Sequence, residues 1–154
     1  MTGAGESTAF HEAGHLVADG LRGGAWLRPT ALPAGSHADG MTWWCAEPEH
    51  RAFIIFGGPW AQARHGWGDR PLDDPAFDDE LLAVLHDFPD DEGAYRHAGR
   101  AFPVTEHVWA EELAGVWPAV CELAQLLLRG APVGCAQVQA AVAAALPSGV
   151  QPGR

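Results

Sequence analysis

The chain contains no lysine: its nine side chains of the lysine or arginine type are all arginine, against 20 aspartates and glutamates, for a formal net charge of −11. Without lysine there is no phosphate-binding G-x-x-x-x-G-K-[ST] loop, so a Walker-type ATPase is excluded. The acidic balance argues against polyanionic partners, and neither nucleic acid nor a membrane surface is expected. Cysteine is scarce as well. Cys45, Cys121 and Cys135 show no C-x-x-C spacing, and an odd count without a secretory signal fits three small core-type residues in a reducing cytoplasm. No apolar run approaches the 18 residues of a membrane span. What remains is ordinary globular material. The 154 residues are 47% hydrophobic and 19% charged, which suits one domain with its own core over residues 1–147 and a disordered tail over 148–154.

Against that background His11-Glu12-Ala13-Gly14-His15 stands out. On a helix, residues four apart lie about 40° from each other on one face, so both imidazoles of H-E-x-x-H can reach one metal ion. Glu12 then sits close enough to take a proton from a water at that ion. Ser7 is a candidate N-cap, and Thr8 to Leu21 reads as a helix stopped by Gly23-Gly24. The motif therefore falls on the element its chemistry needs.

Further along, Ala25 to Ala34 and Gly40 to Cys45 read as short extended runs joined by a turn-rich segment, hence a small β-hairpin or ribbon. Helical spacing returns from Pro48 to His65, where Gly57-Gly58-Pro59 predicts a break, a kink or a tight helix contact. Gly66 to Pro75 reads as a loop, and helices are expected over Phe77 to Phe88 and, more weakly, Asp90 to Ala101. The clearest amphipathic pattern runs from Trp109 to Leu127, with Thr105 as its cap, Pro118 splitting or bending it and Gly130 as its end. An alanine-rich helix over Val133 to Leu146 follows. The expected fold class is mainly α with a small β element.

A catalytic zinc ion needs three protein ligands and one open position. His11 and His15 supply two, and Ala18 and Leu21 stand where a metzincin would continue its motif, so that class is excluded. Asp19 lies too far along the helix axis to join them, and either orients His15 or is a solvated carboxylate. The acidic segment Asp73 to Glu80 offers a carboxylate at the head of a helix, and spacing alone leaves Asp78, Asp79 and Glu80 open. For the second oxyanion donor His37, Arg64, His65 and Tyr95 are candidates, while Trp43 and Trp44 could line a groove beside an edge strand that accepts an extended peptide.

The order of His11-Glu12-Ala13-Gly14-His15, Phe56-Gly57-Gly58-Pro59-Trp60-Ala61-Gln62 and then Asp79 heading an apolar helix resembles the peptidase domain of membrane-bound AAA zinc proteases of the FtsH type. The segments Trp109 to Leu128 and Val133 to Leu146 resemble that domain's closing helix pair. The resemblance implies a helical, zincin-like metallopeptidase domain. It implies Zn2+ held by His11, His15 and Asp79, with Asp78 the alternative, and Glu12 as the base. Two departures stand out: Gln62 replaces a glutamate of the family, and neither the ATPase nor the transmembrane part is present in this sequence. The expectation is a cytoplasmic, ATP-independent zinc endopeptidase acting on peptides or unstructured proteins, with a regulatory protein partner possible in principle. The competing expectation is a catalytically idle zinc-bound module that binds a protein partner through the same cleft.

Overall fold

A computed structural model describes residues 3–24, 48–101 and 106–150. Seven α-helices carry the described chain: α1 (Ala4–Leu21), α2 (Arg51–Trp67), α3 (Ala76–Asp87), α4 (Pro89–Ala101), α5 (Glu106–Gly115), α6 (Trp117–Leu128) and α7 (Cys135–Ala145). A 3-10 turn, Pro48–His50, leads into α2. The protein is mainly α, with no strand among the described residues. The expected hairpin over 25–34 and 40–45, with Trp43, Trp44 and Cys45, lies outside them.

Helix α1 is the axis of the molecule. Every residue from Ala9 to Leu21 is buried, and the helix packs against α2, α6 and α7. Such all-round burial demands small and apolar side chains, and Ala9, Ala13, Leu16, Val17 and Ala18 supply them at 0% exposure. The core they enter is one contiguous cluster that also holds Phe53, Trp60, Leu113 and Leu123. Each large side chain buried this way contributes about 1.5–3 kcal/mol.

Helices α1 and α2 cross in close contact. A Cβ on Gly14 would stand 2.1 Å from the Gly57 carbonyl oxygen, and one on Gly57 would stand 2.6 Å from the Gly14 oxygen. Of the outcomes expected for Gly57-Gly58-Pro59, the tight contact is the one realised. Helix α2 runs unbroken from Arg51 to Trp67 with Pro59 inside it. Packing on both sides outweighs the backbone hydrogen bond that proline forgoes.

Several boundaries moved. Helix α1 begins at Ala4 with Gly3 before it, so Ser7 lies inside the helix and caps nothing. Gly23 closes that end at φ 72°, in the left-handed region that glycine enters without strain. The long amphipathic stretch divides at Val116 into α5 and α6, with Pro118 in the first turn of α6, where its missing N–H costs nothing. Thr105 lies outside the described residues. Beyond α7 the Val150 N–H donates to the Pro147 carbonyl, so residues 148–150 carry a turn.

Candidate metal centre

The described chain has four buried ionisable side chains, His11, Glu12, His15 and Asp19, and all four stand on α1. Burial of such groups is unfavourable without partners, and their surroundings determine what each can do.

The two imidazoles point their Nε2 atoms at each other, 3.1 Å apart. The carboxylate that meets them is Asp91, from the first turn of α4: its Oδ2 lies 2.8 Å from His11 Nε2 and 3.5 Å from His15 Nε2. The outer nitrogens are already committed. His11 Nδ1 donates to Gln62 Oε1 at 3.0 Å, and His15 Nδ1 donates to the Ile54 carbonyl at 2.8 Å, both acceptors belonging to α2. With Nδ1 protonated on each ring, an inward Nε2 either carries a second proton that it shares with Asp91 or, without it, presents a lone pair to a cation. Phe88, at the turn between α3 and α4, stacks on the His11 ring with centroids 4.2 Å apart.

Three lone-pair atoms converging like this repel one another unless a proton or a cation lies between them. Around a tetrahedral zinc ion with bonds near 2 Å, neighbouring ligand atoms are about 3.3 Å apart. The observed separations of 2.8, 3.1 and 3.5 Å bracket that value. The residues fit a divalent ion, and His11, His15 and Asp91 form a group that could hold one.

Electrostatics agree with a shared site. Burial holds His11 below the ordinary histidine range, against the pull of Asp91. Burial also opposes charge on His15, but its hydrogen bond to Asp91 and the charges of Asp91 and Glu12 outweigh it and raise its pKa. Desolvation works against the Asp91 carboxylate too, yet the hydrogen bonds from both histidines hold it far below the usual carboxylate range. The trio is thus a coupled unit, in which the charge on each group depends on the other two.

Glu12 lies next to this centre, 7% exposed, and its Oε2 has no hydrogen-bond partner among the described residues. Desolvation pushes its carboxyl up to about 7, with His15 opposing and Asp91 adding to the rise. A buried, unsatisfied carboxylate oxygen beside a metal-type ligand set is where a proton acceptor for water belongs.

Of the sequence-derived site residues, His11, Glu12 and His15 are thus brought together, and Asp79 is not among them. Asp79 and Asp78 are exposed on the first turn of α3, and Glu80 on the same helix is only partly covered. The carboxylate in the cluster comes one helix later. Asp91 carried a signal of the same kind, an acidic group heading a helix, but Asp90-Asp91-Glu92 stands before a weaker apolar pattern than Asp78-Asp79-Glu80 does. Asp19 is neither solvated nor paired with His15. It is 2% exposed, its Oδ1 lacks a partner among the described residues, and burial raises it to about 6.

Two of the oxyanion candidates are engaged elsewhere. His65 stacks on Phe10 at 3.7 Å and faces Glu6, and Arg64 lies over Trp117 and donates to the Gly68 carbonyl. Tyr95 packs 6.1 Å from Phe56, and His37 lies outside the described residues. No helix among the described residues is long and apolar enough to cross a membrane. Comparison with protein-family models, with curated proteins and with solved structures found no match.

Proposed function

We propose that this chain is a zinc-dependent endopeptidase of the helical, zincin-like kind, cleaving peptides or unstructured proteins without ATP. The observation that carries the reading is the convergence of His11 Nε2, His15 Nε2 and Asp91 Oδ2 beside the unpartnered Oε2 of Glu12. His11, His15 and Asp91 would hold the zinc ion, which when bound supplies Lewis acidity that acidifies water and polarises an amide carbonyl.

The chain's own residues do the rest. Glu12 accepts a proton at Oε2 as the water oxygen bonds to the carbonyl carbon, then returns that proton to the amide nitrogen as the C–N bond breaks. A carboxylate within reach of both the water and the leaving nitrogen can do both. Gln62 and the Ile54 carbonyl keep the rings in the tautomer that turns Nε2 inward.

The test compares the zinc-loaded wild type with Glu12→Gln on a reduced, unfolded protein substrate, with bound zinc measured in both. Retained zinc and a loss of turnover by about 10²–10⁴-fold are expected. Equal turnover in the two proteins would reject the peptidase reading and leave a zinc-bound module that docks a partner.

A further inference from the structure

The two adjacent glycines of α2 face different things. A Cβ on Gly57 would meet the other helix, 2.6 Å from the Gly14 oxygen and 2.7 Å from the Ala18 Cβ. A Cβ on Gly58 would meet no helix backbone first. Its three nearest heavy atoms all belong to the His15 ring: Nε2 at 2.3 Å, Cε1 at 2.5 Å and Cδ2 at 2.7 Å. Real Cβ atoms do not approach that closely, so any side chain at position 58 displaces the ring.

The displacement cannot be absorbed in place. The His15 ring is fixed at one edge by the 2.8 Å bond from Nδ1 to the Ile54 carbonyl, one turn before Gly58 on the same helix. At the other edge Nε2 meets His11 Nε2 and Asp91. A methyl group at position 58 would press on the face of the ring beside Nε2, so the ring would have to swing and release Ile54, turn Nε2 away from the cluster, or both.

From this we infer that Gly58 is a positioning residue for the metal centre. Its missing side chain forms the flat seat on which the His15 imidazole lies, while its neighbour Gly57 serves the helix crossing. The inference rests on the metal-site reading above, and it divides the work of Gly57-Gly58 in a way that experiment can separate.

Three proteins are needed: wild type, Gly58→Ala and Gly57→Ala. In metal-free samples, NMR of ¹⁵N-labelled histidine reads the hydrogen-bonded His15 Nδ1–H as a downfield, slowly exchanging proton. Thermal unfolding reads the fold, and titration against a chromophoric chelator reads zinc affinity. For Gly58→Ala the expected result is a smaller fall in melting temperature than in Gly57→Ala, loss of the downfield proton and zinc affinity lower by about 10–100-fold. For Gly57→Ala the dominant expected effect is a large fall in melting temperature. The inference is overturned if Gly58→Ala keeps the His15 resonance. It is equally overturned if this variant unfolds as readily as Gly57→Ala, since Gly58 would then be a packing glycine. A wild type that binds no zinc yet shows the resonance and its loss in Gly58→Ala would reject the metal reading while supporting the seat.

Discussion

At the scale of single residues, the centre differs most from an all-carboxylate support in Gln62. Its amide oxygen accepts from His11 Nδ1 at 3.0 Å and so fixes the ring without adding a negative charge. Groups that orient a ligand histidine in this way typically carry about 10–100-fold in metal affinity. Gln62→Leu, which keeps the bulk and removes the acceptor, should weaken zinc binding by that factor in a chelator competition, whereas Gln62→Glu should bind at least as tightly as wild type. An unchanged affinity in Gln62→Leu would show that Phe88 stacking alone orients His11. His11, Glu12 and His15 were legible because four residues of helix bring them together, and helical geometry is local. Asp91 was not. Its place depends on how α3 and α4 turn at Phe88 and Pro89, and a tertiary turn leaves no periodic trace in the sequence.

Among the elements, the helices emerged wherever apolar periodicity was strong. α3, α6 and α7 fall within a residue or two of their expected bounds, apart from the shared start of α5 and α6, whose split at Val116 was signalled by Pro118. The start of α1 was misplaced because a serine is a good cap only where the chain turns, and Gly3 makes the turn four residues earlier. Pro59 was the least predictable feature. A proline inside a helix argues for a break in isolation, yet the crossing at Gly14 and Gly57 buries this part of α2 completely and the helix continues through it. Contacts between elements also join the two sides of α1. Arg22, just past its C-terminus, forks onto Glu112 of α5 at 2.5 and 2.8 Å while lying 3.8 Å over the Phe53 ring of α2.

For the molecule as a whole, an acidic chain that buries two carboxyls on one helix must have a stability that depends on pH. Asp19 isolates the effect, since it stands a full turn beyond the metal cluster. Native Asp19 keeps its proton up to about pH 6, whereas the unfolded chain releases it near the ordinary value of 3.8. The native state therefore binds more protons across that window. The stabilising contribution is complete below about pH 4 and is lost as the pH rises through about 6. Asp19→Asn removes the titration. The variant should gain on wild type by about 1–3 kcal/mol between pH 4 and pH 8 in denaturant unfolding of the metal-free proteins. A difference between the two that stays constant with pH would mean that Asp19 titrates normally.

The central claim is that His11, His15 and Asp91 together hold a divalent ion, and zinc titration of the wild type, Asp91→Ala and Asp79→Ala addresses it most directly. The account predicts one zinc per chain in the wild type, the same affinity in Asp79→Ala, and a loss of at least about 100-fold in Asp91→Ala. Wild-type affinity in Asp91→Ala together with a loss in Asp79→Ala would contradict it.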